Sequence, residues 1–112
     1  MVQMRLVNVF EIARELAETG QQVKVLWQED ESLAFVARGR DYRSEFHINP
    51  SDELMYQIKG HMNLHYRTAE GSENVAVLKE GSVIHTPAGT PHSPRFSSDA
   101  VALIVERKRR AG

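Results

Sequence analysis

Short runs of apolar residues, several of them alternating with polar ones, cover most of the chain after residue 22. Each run is rich in β-branched, aliphatic or aromatic residues, and Gly, Pro, Asp, Ser or Asn separates one from the next. The runs span residues 23–28, 33–39, 45–49, 53–60, 61–68, 74–81, 82–89 and 100–107. Many short strands joined by tight turns are typical of a sandwich or a closed barrel. The pattern therefore predicts one all-β barrel over residues 22–107.

The N-terminal part of the chain follows a helical period instead. One apolar stripe recurs at three- and four-residue spacing: Val9, Ile12, Ala13 and Leu16. Asn8 with Glu11 three residues later forms a capping-box sequence, and Gly20 is a typical helix end. We expect a single helix over residues 8–19 that packs on the barrel as a lid or brace.

Length, charge and composition exclude several classes of protein. With 112 residues, the chain forms one domain with a modest core. A formal net charge of -1 provides no field that attracts nucleic acid or an anionic membrane surface. Charged residues interrupt the N-terminal region, so we expect no signal peptide or membrane span, a cytoplasmic location, and neither nucleic-acid nor membrane partners. Residues 108–112 are interpreted as a solvated basic tail.

The sequence contains no cysteine, so any metal site must use histidine and carboxylate ligands. Two blocks have the relevant spacing: Glu45, His47 and Glu53 between Gly39 and Gly60, and His92 after a Pro-Ala-Gly turn. Together they resemble the two signatures of the cupins, which are double-stranded β-helix (jelly-roll) barrels. The first signature usually supplies two histidines and a glutamate, and here Glu45 stands in place of the first histidine.

The donors that remain indicate the kind of metal. His47, Glu53 and His92 would provide two imidazoles and one carboxylate, the set used by non-haem Fe(II) oxygenases, with three positions left open. An open coordination sphere is typical of a catalytic metal site. A four-ligand site that also uses Glu45 is the alternative.

Strand alternation adds an indication of which side chains share a face. If the run that contains His47 is a strand, then Arg43, Glu45 and His47 point to the same side, and Arg43 would face the cavity. In the last run, Glu106 shares a face with Ile104. Both faces of that run are largely apolar, so the pattern leaves open which is inward. Exposed charges are the ordinary alternative for Arg43 and Glu106.

A closer resemblance extends over essentially the whole chain. Several segments look like the corresponding parts of 3-hydroxyanthranilate 3,4-dioxygenases: residues 8–28, 43–60, 87–94 and 105–107. In that family an Fe(II) ion is held by two histidines and one glutamate. The resemblance carries these ligands onto His47, His92 and Glu53.

The same resemblance implies the roles of three further residues. An aromatic acid with adjacent hydroxyl and amino groups would chelate the iron while dioxygen takes the remaining position. Arg43 and Arg95 match the guanidinium groups that hold the carboxylate, and Glu106 matches a glutamate that accepts a proton. These matches predict a ring-cleaving dioxygenase.

Departures from the family pattern bear on the substrate more than on the metal. Arg95 follows Pro94 directly, where the family usually has one residue between, and no cysteine-rich segment follows the last strand. The alternatives are a metal-dependent cupin with another small-molecule substrate and a ligand-binding cupin without turnover. We also expect a homodimer, because small cupin barrels leave an edge strand and an apolar flank uncovered.

Other prominent side chains have ordinary structural interpretations. His61 and His65 alternate with apolar residues, which predicts an exposed polar face of a strand rather than metal ligands. His85 is interpreted as a structural histidine, with a cavity-lining position as the alternative. Trp27 is predicted to be a core residue.

Overall fold

The structure of the protein, a computed structural model, describes residues 4–39 and 45–107. Arg43 and the basic tail of residues 108–112 lie outside the described residues. In the described ranges, no helix is long and apolar enough to cross a membrane. The elements are α1 (Val9–Thr19), β1 (Val23–Gln28), β2 (Ser32–Arg38), β3 (Asp52–Lys59), β4 (Met62–Arg67), β5 (Glu73–Leu78), β6 (Val83–Thr86), β7 (His92–Phe96) and β8 (Val101–Arg107).

The strands form two antiparallel sheets with a shared apolar interior. One sheet has the order β1-β2-β8-β3-β6, and the other has the order β5-β4-β7. Their inward faces meet in one cluster of buried side chains: Ala37, Met55, Met62, Leu64, Leu78 and Ile104. This double-sheet arrangement with one N-terminal helix confirms the predicted cupin-type β-barrel.

The helix packs on the outer face of the five-stranded sheet. Asn8 caps it by accepting hydrogen bonds from the backbone N–H groups of Phe10 and Glu11, at 2.9 and 3.1 Å. Gly20 ends it in the left-handed conformation, with φ of 76°. Leu16 is fully buried in a second apolar cluster, and burial of one such side chain contributes about 1.5–3 kcal/mol. The predicted helix is confirmed, and it braces the sheet.

One predicted run is not a strand, and one strand was not predicted. Residues 45–49 make only a single β-bridge, between His47 and His92, because the chain turns at Asn49 and Pro50. The alternation of side chains along a strand therefore does not apply to residues 45–49. β7 includes Pro94, which reads as a strand breaker. Because β4 is the only named strand paired with β7, Pro94 occupies an edge where its missing N–H is tolerated.

The face of β8 that the sequence left open is decided by packing. Ala102 is fully buried, and Ile104 belongs to the interior cluster, so this alternate set of residues faces inward. Glu106 continues the same set at the end of the strand. A glutamate therefore stands at one mouth of the barrel.

Candidate metal centre

Two glutamates stand next to each other on the inward faces of neighbouring strands. Glu53, at the start of β3, is directly opposite Glu106, at the end of β8. Glu53 is only 5% exposed, and Glu106 is half-buried. Like charges directly opposite each other on a sheet are destabilising. This pair therefore requires a donor or a cation close by.

Asn49 supplies such a donor to both carboxylates. Its Oδ1 accepts a hydrogen bond from the backbone N–H of Ser51 at 3.1 Å, so its Nδ2 is the atom turned towards the glutamates. Nδ2 donates to Oε1 of Glu53 at 2.6 Å and to Oε1 of Glu106 at 3.3 Å. One amide group thus holds the two acidic side chains in register.

His92 faces the same carboxylate from the opposite sheet. It begins β7, is 4% exposed, and shares its inward face with Phe96, which packs against the interior cluster. Its Nδ1 lies 2.9 Å from the carbonyl oxygen of Thr90, and because a carbonyl can only accept, Nδ1 carries the hydrogen. Its Nε2 is 3.6 Å from Oε1 of Glu53. In neutral His92, the Nε2 lone pair would therefore point at a carboxylate oxygen, an arrangement that calls for a cation.

The pKa values of this pair change in the direction that such a contact requires. Burial alone would raise the pKa of Glu53, but the close contact with His92 and the hydrogen bond from Asn49, with the charges of His92 and His47, hold it below its usual value. The close contact with the Glu53 carboxylate raises the pKa of His92, against the opposing effect of burial. The two groups therefore favour the state with a proton between a carboxylate and an imidazole.

His47 is joined to His92 through the backbone rather than the side chain. Its N–H donates to the carbonyl of His92 at 2.7 Å, and the reverse bond is 2.9 Å long. The two rings are 6.4 Å apart between centroids, and His47 is exposed. In residues 4–39 and 45–107, no three His, Asp or Glu side chains converge as a ready-made metal cluster. The structure thus pairs Glu53 with His92 and places His47 beside them.

Asp52 ties the start of β3 to the turn that precedes His92. Its Oδ1 accepts a hydrogen bond from the backbone N–H of Ala88 at 3.2 Å, and its Oδ2 forms an ion pair with Arg107 at 2.6 Å. Its side chain is 8% exposed. Because Asp52 immediately precedes Glu53, this contact fixes the position of Glu53 relative to the His92 loop.

Sequence reasoning missed the supporting roles of Asn49 and Asp52. The signal for Asn49 is its position in Asn-Pro-Ser, since Asn side chains often bond to the backbone two residues on. Asp52 carries no comparable signal, because its partners are 36 and 55 positions away in the chain.

The other predicted site residues are placed less favourably. Glu45 is exposed, two residues before His47 and outside any strand. Arg95 pairs with Asn63, so it lies on the face of β7 opposite to that of His92 and Phe96. Its Nε is 3.4 Å from Oγ of Ser93. Arg43 lies outside the described residues.

The remaining histidines and Trp27 differ in part from their sequence interpretations. His61 is exposed as predicted, whereas the side chain of His65 is only 16% exposed and lies 3.7 Å from Glu73. His85 is mostly exposed and lines a cavity together with Tyr66 and Thr86, which agrees with its alternative interpretation, and its Nε2 is 3.7 Å from Oδ2 of Asp52. Trp27 is half-buried and donates from Nε1 to Oγ of Ser32 at 3.0 Å.

Comparison with known proteins identifies relatives of the whole described domain. A model of the 3-hydroxyanthranilic acid dioxygenase family matches residues 3–112. A 3-hydroxyanthranilate 3,4-dioxygenase from Bacillus cereus is 41% identical over 99 residues, which cover 88% of this chain and 55% of that protein. One from Paraburkholderia phytofirmans is 35% identical over 88 residues, which cover 78% and 50%. The chain thus spans about half the length of these curated relatives.

Solved structures support the fold. A cupin-2 domain containing protein from Shewanella frigidimarina superimposes with a TM-score of 0.72 at 15% identity, covering 92% of this chain and 95% of that one. At this level of identity the likeness concerns the barrel alone.

Proposed function

Because the chain belongs to the 3-hydroxyanthranilic acid dioxygenase family, we propose that it is a ring-cleaving dioxygenase of 3-hydroxyanthranilate or a similar aromatic acid with adjacent hydroxyl and amino groups. The observation that carries this proposal is an inward-facing set in which Asn49 links Glu53 to Glu106 and His92 faces Glu53. Two acids and an imidazole at the mouth of a barrel fit a substrate that binds a metal and releases a proton.

The donor chemistry fits a divalent metal, and we propose Fe(II) on His47, Glu53 and His92. His92 carries its hydrogen on Nδ1, which leaves Nε2 free as a ligand aimed at the carboxylate of Glu53. His47 already has its backbone fixed beside His92, so rotation about its side-chain bonds would complete the set. When bound, Fe(II) would supply open positions at which an aromatic acid and dioxygen are held together.

Glu106 is the proposed proton acceptor. It lies directly opposite the proposed ligand Glu53, and its Oε1 is oriented by Asn49. A hydroxyl or amino group of a substrate bound next to Glu53 would come within reach of Glu106. General bases in such positions contribute roughly 10²–10⁴-fold to the rate.

Arg43 is proposed to hold the carboxylate of the substrate, since a planar guanidinium matches a carboxylate with two parallel hydrogen bonds. The matching role proposed for Arg95 is weakened by its place on the outward face of β7. This outward position specifically favours a second candidate function, in which the same metal site acts on a different small molecule. The two candidates share the metal and differ in the small molecule on which they act.

The deciding experiment is anaerobic binding followed by oxygen. The Fe(II)-loaded protein is mixed without oxygen with 3-hydroxyanthranilate, and the absorption spectrum reports chelation. Admission of oxygen should then convert the acid, with a transient absorbing species. A protein that takes up Fe(II) and fails to bind this acid supports the second candidate, and one that binds without consuming oxygen is a non-catalytic cupin.

We further propose a homodimer. β1 forms an edge of the five-stranded sheet, and Val25 on it is 53% exposed. The preceding segment presents Leu6, which is 97% exposed. Exposed apolar side chains beside an open strand edge are typical of a surface that another subunit covers. Light scattering at micromolar concentration should give the mass of two chains, and a strictly monomeric mass would contradict the proposal.

A further inference from the structure

The segment around His47 is fastened unequally on its two sides. His47 exchanges two backbone hydrogen bonds with His92, and downstream the carbonyl of Asn49 accepts one from the N–H of Gly89 at 2.8 Å. Upstream, the backbone of Phe46 makes no hydrogen bond to another residue that the structure describes. The upstream side is therefore where a side-chain contact matters most for the orientation of His47.

Arg67 makes such a contact. Its guanidinium lies over the ring of Phe46, with the central carbon 4.2 Å from the ring centroid, which is within the range of a cation–π interaction. Phe46 is half-buried, and Arg67 is exposed. Because a planar guanidinium stacks well on an aromatic face, the contact restrains the ring and, with it, the backbone next to His47.

The place of Arg67 in the sheet carries this contact across the start of β7. The backbone N–H of Arg67 donates to the carbonyl of Pro91 at 3.0 Å, directly before β7. β7 thus begins between β4, which pairs with it as far as His92, and the segment bridged to it through His47. The side chain of Arg67 reaches over this boundary to Phe46 and closes a ring of contacts around the first residue of β7.

The contact with the ring is formed although a carboxylate stands opposite Arg67. Glu73 is directly opposite it in the β4–β5 pairing. The carboxylate of Glu73 lies 3.7 Å from Nδ1 of His65, whereas the guanidinium of Arg67 lies on Phe46. The cation is thus directed at the residue that precedes a proposed metal ligand rather than at the opposing acid.

We propose that Arg67 is a positioning residue for the metal centre. By stacking on Phe46, it fixes the upstream side of the segment and limits the directions from which the His47 imidazole can approach a metal. This inference rests on the proposed function, because it takes His47 as a ligand. The effect of Arg67 reaches the metal only through Phe46 and His47.

The first measurement needs no metal. Hydrogen exchange of the His47 amide, followed by NMR in the metal-free protein, reports how often the bridge to His92 opens. Loss of the exposed cation–π contact in Arg67→Gln should speed this exchange about two- to fivefold. Arg67→Lys keeps the charge and should restore part of the protection. Arg14→Gln, at an exposed position of α1, should leave the exchange unchanged.

Changes to the ring separate this contact from a general loss of stability. Phe46→Leu should speed exchange at His47 as much as Arg67→Gln does, and Phe46→Tyr, which keeps the ring, should not. In the combined variant of Arg67→Gln and Phe46→Leu, the effect should equal that of either change alone, because both remove the same contact. Effects that add would show that the two side chains act separately and would overturn the inference.

The second measurement concerns the metal and uses Co(II), whose visible absorption reports its coordination. Titration against a competing chelator should show binding about two- to fivefold weaker in Arg67→Gln than in the parent protein, with partial recovery in Arg67→Lys. Unchanged exchange at His47, or faster exchange with undiminished Co(II) affinity, overturns the inference and leaves the proposed function standing. Failure of the parent protein to bind either Co(II) or Fe(II) overturns the proposed function and this inference with it.

Discussion

The two halves of the candidate metal centre are built in different ways. The half on β3 and β8 is held by side chains: Asn49 bonds to both Glu53 and Glu106, and Asp52 fixes the strand end through Ala88 and Arg107. The half at His47 is held by two backbone hydrogen bonds to His92, and its side chain is exposed. One half is preorganised, and the other is positioned but free to rotate.

This difference separates the tasks of the two halves. Hydrogen-bonded carboxylates keep their geometry without a ligand, so in the proposed function they would define where a cation and a proton are held. An exposed imidazole on a fixed backbone can close onto a metal after the metal has entered. We therefore expect changes in the β3–β8 half to affect metal affinity or proton transfer, and changes at His47 to affect metal retention without disturbing the Glu53–Glu106 pair.

The largest effect is expected for the ligands themselves. His47→Ala, Glu53→Ala and His92→Ala should each cause near-complete loss of bound iron, because a three-ligand site has no spare donor. Iron is measured in the purified, reconstituted proteins. Glu45→Ala is the control and should keep its iron; loss there would support the four-ligand alternative. Full occupancy in any of the three ligand variants would reject this set.

Glu106→Gln tests the chemistry of the preorganised half without removing a ligand. The amide keeps the shape of the side chain but cannot accept the proton, so turnover of the aromatic acid should fall roughly 10²–10⁴-fold. Iron content should change little. Normal turnover in this variant would remove Glu106 from the mechanism.

Asn49→Ala tests whether the preorganised half depends on its shared donor. Loss of the amide leaves Glu53 and Glu106 opposite each other without that donor, and supporting partners of this kind are worth about 10–100-fold in metal affinity. The measurement is a competition titration with a chelator. Asn74→Ala, at an exposed position of β5, is the matched control. Equal affinities in the two variants would show that Asn49 has no part in the site.

Arg43 and Arg95 should differ in their effect on binding of the aromatic acid, measured without oxygen on the Fe(II)-loaded protein. Arg43→Ala is expected to weaken binding of the aromatic acid by about 1.5–3 kcal/mol, the usual contribution of hydrogen bonds to charged groups. Arg95→Ala should weaken it by less, because Arg95 lies on the outward face of β7. Both variants should keep their iron. An effect of Arg95→Ala as large as that of Arg43→Ala would show that Arg95 reaches the substrate after all.

The smallest effect concerns the stability of the metal-free protein against pH. The raised pKa of His92 gives stability that is complete below 6.5 and is lost as pH rises through its folded-state value. The lowered pKa of Glu53 gives stability that is complete above 4.5 and is lost as pH falls through its folded-state value. Both contributions are therefore present together between pH 4.5 and 6.5.

His92→Gln removes the His92 titration, so the decrease in Tm that the parent protein should show as pH rises above 6.5 should become smaller. His61→Gln, which changes an exposed histidine, should leave the profile as it is in the parent protein. A profile in His92→Gln with the parent slope would show that the Glu53–His92 contact does not contribute to stability.

Local sequence signals were reliable where local contacts decide the structure. The capped helix was predictable because Asn8, Gly20 and the apolar stripe all act within a few residues of one another. All predicted β-runs except residues 45–49 overlap observed strands. That run was misread because its side chains look strand-like, whereas Asn49 and Pro50 turn the chain after one bridge.

The site was predictable only in its residue types. The spacing of the two blocks singled out Glu53, His92 and His47. The structure brings Nε2 of His92 to 3.6 Å from Glu53 and pairs the backbone of His47 with that of His92. Asn49 and Asp52 act through partners far along the chain, which no local pattern reveals. β7 was not predicted because Pro94 is unusual inside a strand. The direction of the Arg95 side chain depends on the pairing of β7 with β4, which the local sequence does not show.

The pair of backbone bonds between residues 47 and 92 would make the proposed metal centre exchangeable. Every amino acid except proline offers the same N–H and carbonyl groups, so these two bonds persist whichever side chains stand there. The backbone bonds fix where the side chains at 47 and 92 start, and the residue type at each position decides which donor atom is offered. A protein engineer can vary the donors at 47 and 92 to select among metals, while the barrel continues to fold around an unchanged frame.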